Sequence, residues 1–166
     1  LRITEINKKV KKKVILVDHN ELEQSVIGLE EAEILEMIDH HKIGNISTSY
    51  PINFRNMSVG STNTIIYHLF KENNVKIPKN IAGLMLSGIL SDTLSLTSPT
   101  TTEIDKEVVM DLEKICNLNH QEFAMNMFKA GSSLEGMSKA DVLYNDFKKF
   151  NVNNKQLGIG QIFTMD

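Results

Sequence analysis

Acidic and histidine side chains follow apolar runs at three places in the chain. Asp18 comes directly after the run of residues 14–17, the Asp-His-His cluster of residues 39–41 ends a second run, and Asp92 follows a third that begins at Leu86. Carboxylate oxygens and imidazole nitrogens together suit manganese, zinc or iron, and none of the three places offers a thiolate. The three places therefore indicate a metal site, provided that the fold brings them together.

Each of these signals also has an ordinary structural explanation. An isolated Asp after a strand commonly caps a helix or forms a turn, and adjacent histidines are often plain surface residues. Open α/β sheets, however, bind ligands outside the carboxyl ends of their strands. We therefore expect Asp18, His40 and Asp92 to converge at the carboxyl edge of one parallel sheet.

The elements that must position these residues alternate between strands and helices. Continuous apolar or β-branched runs at residues 14–17 and 33–38 are typical of buried parallel strands. The predicted fold class is therefore α/β, a mostly parallel sheet with flanking helices. The other predicted elements are a strand at residues 53–57, helices at residues 61–74 (capped by Ser61 or Thr62), 78–90, 102–117 and 120–129, a helix from about Ser138, and a hairpin around residues 153–154.

The other histidines and the single cysteine have structural explanations. We expect His68 on a solvated helix face, His120 at the start of a helix and Cys116 in a helix core. The lysines between residues 8 and 13 form a basic run that we expect to be solvated. The apolar stripe predicted for the helix at residues 102–117 consists of Ile104, Val108, Leu112 and Ile115.

A change in composition predicts two domains. Residues 130–136 are mostly small or polar and contain two glycines, which is typical of a linker, and we assign the linker to residues 131–137. We place the first domain at residues 1–130 and the beginning of a second α/β domain at residues 138–166. The second segment is too short to form an independent core, which predicts that it is truncated.

Composition excludes several classes of protein. The chain has 166 residues, 41% of them hydrophobic and 23% charged, as in globular proteins. A net charge of −3 gives no bias towards nucleic acid or membrane surfaces. One cysteine rules out an internal disulfide and fits a reducing cytoplasm. No apolar run approaches the roughly 18–20 residues that cross a bilayer. We therefore expect a cytoplasmic protein without nucleic acid or membrane partners.

Several motifs resemble those of one known family. The first is Val-Asp-His-Asn-Glu at residues 17–21, and the second is Ile-Asp-His-His at residues 38–41. The third is Leu-Ser-Asp-Thr at residues 90–93. Flanking stretches at residues 71–77, 81–87 and 129–131 agree as well. Together the motifs resemble the family II inorganic pyrophosphatases of the DHH phosphoesterase superfamily.

The resemblance implies a metal-dependent hydrolase. Members of that family hydrolyse pyrophosphate to two phosphates with two manganese or cobalt ions, and magnesium assists. Asp18 resembles the carboxylate that bridges both ions, whereas His40 and Asp92 resemble ligands of the second ion. Asp39 resembles a residue that orients a histidine ligand by hydrogen bonding.

The resemblance also implies two residues that contact substrate and two motifs that this sequence lacks. His41 resembles the histidine that contacts the substrate phosphate, and Lys148 resembles a lysine that binds phosphate. The family's amino-terminal His-x-x-x-Asp-x-Asp motif and its Ser-Arg-Lys-Lys-Gln motif do not occur among the 166 residues. We therefore expect a DHH domain without its amino-terminal segment, and a chain that is inactive by itself.

The family resemblance leaves partners and rival functions open. It implies a homodimer and, in a subgroup with cystathionine-β-synthase domains, regulation by adenine nucleotides. One alternative is another DHH phosphoesterase, such as an oligoribonuclease or an exopolyphosphatase. A second alternative is a non-catalytic fragment that only associates with other chains.

Overall fold

The computed structural model describes residues 12–153 and 155–162 and divides after His120 into two compact units. The lysines at positions 8, 9 and 11 of the predicted basic run lie outside the described residues, whereas Lys12 and Lys13 are exposed as expected. The described strands are β1 (Lys13–Val17), β2 (Glu33–Asp39), β3 (Asn53–Asn56), β4 (Phe147–Val152) and β5 (Lys155–Gly160). The described α-helices are α1 (Thr62–Glu72), α2 (Lys79–Asp92), α3 (Glu103–Cys116), α4 (His120–Gly131) and α5 (Lys139–Tyr144).

The first unit contains a three-stranded parallel sheet in the order β1-β2-β3. All three predicted strands and the predicted parallel direction are therefore confirmed, and with them the α/β fold class. Residue Val17 at the end of β1 pairs with Ile38 of β2, and Asp39 pairs with Asn56 of β3. The carboxyl ends of the three strands consequently lie at one edge of the sheet.

Alternation along β2 gives the sheet a packed layer on each side. Met37 packs with Leu16 and Leu29, whereas the next residue, Ile38, packs with Val59 and Ile65. Successive strand residues point to opposite faces, so this arrangement follows from the apolar run itself. The strand then ends on a carboxylate, Asp39, that is completely buried.

Capping residues set the helix starts. The Ser61 side chain accepts from the backbone N–H of Asn63 and so caps α1, as predicted. Thr102 and Asp105 form a capping box at the start of α3.

The predicted apolar stripe of α3 is wrong at Ile104, which is 37% exposed, because Asp105 takes the buried position in this first turn of the helix. The buried residues of α3 are Asp105, Val108, Val109, Leu112 and Cys116.

Two single-residue predictions have different outcomes. Cys116 is buried in the helical core, as predicted. The prediction of a solvated His68 is wrong, because its ring is partly buried and lies edge-on to Tyr67 at 5.6 Å between centroids.

The second unit begins at Gln121 and contains most of α4, the short helix α5 and an antiparallel hairpin of β4 and β5. The hairpin and a helix capped by Ser138 occur where they were predicted. Residues 132–138 between α4 and α5 are not helical. The domain limits at residues 130 and 138 stay predictions. None of the helices in the described part of the chain is long and apolar enough to span a bilayer.

Candidate metal centre

Asp18 stands where β1 ends at the carboxyl edge of the sheet. Its backbone N–H donates to the carbonyl of Ile38 at 3.0 Å, which extends the pairing with β2 by one residue. Asp18 itself adopts a left-handed backbone with φ of 67°. Aspartate is one of the few residues apart from glycine that tolerates this conformation. The turn leaves the Asp18 side chain 55% exposed at the sheet edge.

His40 faces Asp18 from the end of β2. The His40 Nδ1 atom lies 3.0 Å from the carbonyl oxygen of Val59, so Nδ1 carries a proton, and in the neutral imidazole Nε2 carries a lone pair. That Nε2 lies 3.5 Å from Oδ1 of Asp18. Two acceptors that face each other repel, and a cation between them would satisfy both. The pair therefore fits a metal ion, and the oxygen and nitrogen donors suit manganese.

His41 completes a cluster of three. Its Nδ1 lies 2.7 Å from Oδ1 of Asp39, and its ring centroid lies 4.2 Å from that of His40. One ligand atom each from Asp18, His40 and His41 fits within a 4.8 Å span. In the described part of the chain no other group of three His, Cys, Asp or Glu residues is this close.

A buried carboxylate holds the loop that carries both histidines. Asp39 Oδ1 accepts from the backbone N–H of His40 at 2.8 Å and of His41 at 3.2 Å, and Oδ2 accepts from the Asn20 amide. Burial raises the pKa of Asp39, but the hydrogen bonds from Asn20 and the two histidine residues outweigh it and hold the pKa below its ordinary value. Asp39 is therefore ionised, and its side-chain bond to a histidine ring goes to His41. Its predicted role of orienting a histidine ligand of the metal stays a prediction.

Asn20 is a site residue that the sequence analysis missed. It is buried, and its amide also donates to the carbonyl of Lys42 at 3.0 Å and accepts from the backbone N–H of Gly44. It thereby ties the loop after β1 to the loop after β2. An added Cβ at Gly44 would lie 2.6 Å from the Asn20 backbone oxygen, so this approach requires glycine. The signal in the sequence is an asparagine two positions after the predicted ligand Asp18.

Asp92 occupies a different kind of position from Asp18 and His40, which follow strands. It is the last residue of helix α2, which matches the helix predicted at residues 78–90 and extends two residues beyond it. Its carboxylate accepts from Ser61 Oγ at 2.6 Å, and the next residue, Thr62, donates from Oγ1 to Asp18 at 2.7 Å. The start of α1 thus links Asp92 to the cluster. Whether Asp92 ligates the same metal stays a prediction.

Lys148 lies in the second unit. It belongs to β4, where it pairs with Ile159 of β5, and it is exposed. Its role towards phosphate stays a prediction. A cavity of about 260 Å³ in the first unit is lined by none of the predicted site residues; its lining includes Leu29, Ile34 and Ile46.

Two family models match the chain. The model described as DHH family, N-terminal domain, matches residues 2–89, which include the Asp18, His40 and His41 cluster. The DHHA2 domain model matches residues 125–166.

Individual relatives and solved structures agree with these matches. A manganese-dependent inorganic pyrophosphatase from Methanothrix thermoacetophila is 50% identical over 161 residues, which are 97% of this chain and 52% of the relative. A cobalt-dependent inorganic pyrophosphatase from Clostridium perfringens is 47% identical over 94% of this chain and 28% of the relative. A crystal structure of a Methanococcus jannaschii family II inorganic pyrophosphatase, described as putative, superimposes with a TM-score of 0.76 at 38% identity, covering 95% of this chain and 56% of the other.

The chain spans about half the length of most of the curated relatives it matches. The DHH match alone covers residues 2–89, which is 88 of 166 residues and so more than half of the chain. Together with the similar fold of the solved relative, this match shows that the chain belongs to the DHH family.

Proposed function

We propose that this chain supplies part of the active site of a manganese-dependent enzyme that hydrolyses inorganic pyrophosphate. The observation that carries the proposal is the pair of acceptors, Asp18 Oδ1 and His40 Nε2, held 3.5 Å apart with His41 beside them. Relatives that are 43–50% identical to the chain over the aligned residues are named manganese-dependent, or probable manganese-dependent, inorganic pyrophosphatases. Both lines of support point to the same cation chemistry.

The proposed reaction needs positive charge because pyrophosphate repels nucleophiles. A pair of bound manganese or cobalt ions, assisted by magnesium, would neutralise phosphoryl oxygens and lower the pKa of a water molecule. Asp18 and His40 would hold these ions, and Asp92 would contribute a further carboxylate. Thr62 orients the Asp18 carboxylate through its hydroxyl. The half-exposed Asp18 side chain leaves this edge of the sheet open to a small anionic substrate.

His41 is the proposed contact to the substrate phosphate. Its Nδ1 is tied to Asp39, so Nε2 is the nitrogen that can face a ligand. From Nε2 the ring would contact an anionic oxygen of the substrate. The His41 side chain is 49% exposed and therefore accessible to substrate. Lys148 would supply a cationic contact to phosphate.

The released products test this function: free phosphate from pyrophosphate or polyphosphate, and nucleotides from an oligoribonucleotide. Pyrophosphate, a short polyphosphate and a short oligoribonucleotide are offered with manganese to the 166-residue chain and to the gene product that contains it. We expect the gene product to hydrolyse pyrophosphate and to lose this activity with Asp18→Asn or His41→Ala, but to keep it with Asp111→Asn. Asp111 is a matched control because its carboxylate binds Tyr67 on the side of α3. Hydrolysis of polyphosphate or oligoribonucleotide in preference to pyrophosphate would refute the proposal.

The chain by itself should bind metal without catalysing the reaction. Two-metal hydrolysis needs both ions aligned, and the described residues contain one cluster that could hold a metal ion, of which Asp18 and His40 are the proposed ligands. Calorimetry with manganese should show about one weak site in the chain, and Asp18→Asn should abolish it, because a neutral amide is a poorer ligand for a hard cation. Two tight sites or rapid turnover by the 166 residues would contradict the assignment.

We also propose the partners and location that the resemblance implies. The protein would be a cytoplasmic homodimer, and adenine nucleotides would regulate it if the gene product carries cystathionine-β-synthase domains. In the described part of the chain, β1 and β3 each have one edge that pairs with no strand, and such edges can recruit another chain. Sedimentation of the gene product tests the dimer, and hydrolysis rates with added adenine nucleotides test the regulation.

A further inference from the structure

One short segment, residues 59–62, contacts all three predicted metal ligands. The carbonyl of Val59 accepts from His40 Nδ1 at 3.0 Å. The Ser61 hydroxyl donates to Asp92 at 2.6 Å, and the Thr62 hydroxyl donates to Asp18 at 2.7 Å. The orientation of each predicted ligand therefore depends on where segment 59–62 lies.

A carboxylate from another helix fixes this segment. Asp105 of α3 is completely buried, and its Oδ2 accepts from the Gly60 backbone N–H at 2.8 Å. Its Oδ1 accepts from Thr64 Oγ1 at 2.6 Å, at the start of α1. Oδ2 also accepts from Thr102, both from the backbone N–H at 2.8 Å and from the hydroxyl at 2.7 Å. Asp105 thus joins segment 59–62, α1 and α3 through four donors.

The contact at Gly60 is too close to allow independent movement. An added Cβ at Gly60 would lie 2.9 Å from Asp105 Oδ2 and 2.6 Å from Thr93 Cγ2. Thr93 directly follows the predicted ligand Asp92. The backbone of segment 59–62 is therefore packed between the carboxylate of α3 and the end of α2, with no space for a side chain.

We infer that Asp105 is a positioning residue for the metal centre, which acts through segment 59–62. It sets the position of the Val59 carbonyl and so keeps the proton of His40 on Nδ1, which leaves Nε2 free to bind a cation. It also sets the starting point of α1, whose hydroxyls orient the carboxylates of Asp18 and Asp92. The part of this inference that concerns metal rests on the proposed function, but the part that concerns the tautomer of His40 does not.

Nitrogen NMR of the metal-free chain tests the tautomer directly. In the wild-type chain, at a pH well above the ordinary imidazole pKa, His40 should carry its proton on Nδ1. In Asp105→Asn the amide would present N–H groups to a pocket of donors, so segment 59–62 should shift and the population of the other tautomer should rise several-fold. Asp111→Asn is the matched control, since it changes the same residue type on the same helix and should leave His40 unchanged. An unchanged His40 tautomer in folded Asp105→Asn would overturn the inference.

Manganese titration separates this inference from the proposed function. Loss of a group that orients metal ligands commonly weakens binding about 10- to 100-fold, so we expect a loss of this size in Asp105→Asn and none in Asp111→Asn. A changed tautomer with unchanged manganese affinity would support the positioning role and refute His40 as a ligand. Wild-type chain that binds no manganese would refute the proposed metal site alone, and the NMR result would still decide the positioning role.

A milder pair of variants serves if Asp105→Asn does not fold. Thr64→Val removes one donor to Asp105 while keeping the side-chain volume, and Thr64→Ser keeps the hydroxyl. We expect the His40 tautomer to shift in Thr64→Val and to return to wild type in Thr64→Ser. A role in stability alone would lower the unfolding temperature of Thr64→Val without moving the His40 signals, and that result would also overturn the inference.

Discussion

Replacing Asp39 by Asn should separate the structural role of this carboxylate from its role towards His41. Oδ1 of Asp39 accepts from His41 Nδ1 at 2.7 Å and from the backbone N–H groups of His40 and His41, whereas Oδ2 accepts from Asn20. The side chain has no exposed surface. In Asp39→Asn the amide oxygen can take over the three contacts of Oδ1. The new NH₂ group then faces the NH₂ group of Asn20.

The size of the effect follows from these contacts. A buried donor left without an acceptor costs about 1–3 kcal/mol. The three contacts to the amide oxygen also weaken, because bonds to a charged acceptor contribute roughly 1.5–3 kcal/mol against about 0.5–1.5 for a neutral one. Removal of a buried charge offsets part of the loss, so we expect the free energy of unfolding to fall by about 2–4 kcal/mol.

Urea unfolding of the chain measures this change, and NMR of the His41 ring reports its orientation. Asp111→Asn again serves as the control, since its partly exposed contact with Tyr67 should contribute no more than about 1 kcal/mol. In Asp39→Asn we also expect the His41 proton to leave Nδ1 for part of the population. An Asp39→Asn chain within about 0.5 kcal/mol of wild type, with an unchanged His41 ring, would show that the contacts do not have the assigned role.

Other contacts give three further predictions. Burial raises the pKa of Asp105, but hydrogen bonds from the surrounding hydroxyls and backbone amides outweigh it and hold the pKa below its ordinary value. The ionised carboxylate therefore contributes stability above the unfolded-state pKa, and this contribution is lost as the pH falls through the folded-state pKa. Urea midpoints should consequently fall less steeply in acid for D105N than for wild type. Thr62→Val should weaken manganese binding about 10-fold by freeing Asp18, and Thr62→Ser should not, as calorimetry would show. Gly44→Ala should destabilise by about 1–3 kcal/mol because its Cβ would lie 2.6 Å from a backbone oxygen, whereas Gly83→Ala, which meets nothing within 4 Å in α2, should stabilise by about 0.5–1 kcal/mol in the same urea assay.

The sheet and its edge could be predicted because the pattern is local. Continuous apolar runs that end on polar residues indicate both the strands and the side at which they end, so the pattern alone predicts that Asp18 and His40 lie together, as they do. The family resemblance adds roles for the same residues. For Asp92 the local pattern predicts the end of an apolar helix, as observed for α2. The contacts that link this helix end to Asp18 run through Ser61 and Thr62 and join residues 31 and 44 positions apart, so no local pattern shows them.

The contacts of segment 59–62 could not be predicted from local patterns. Val59 contributes only its carbonyl, which every residue type possesses, and its partner His40 is 19 positions away. Hydroxyls at the start of a helix indicate capping, and Ser61 does cap α1. Nothing in the sequence shows that the same hydroxyl also binds Asp92. The error at Ile104 has a related cause, since the polar residue Asp105 takes the buried position because of contacts outside its own helix.

Two buried carboxylates have the same physical role on two different loops. Asp39 accepts from backbone N–H groups of the loop that carries the histidines, and Asp105 accepts from the backbone of segment 59–62. Both pKa values are lowered, so both groups are charged in the folded protein despite burial. A buried charge is costly unless its partners stay in place. Because these partners belong to the histidine loop and to segment 59–62, holding them in place also holds the rings and carboxylates of the candidate centre in place. The site would therefore be arranged before a cation arrives, and little further ordering would be needed when one binds.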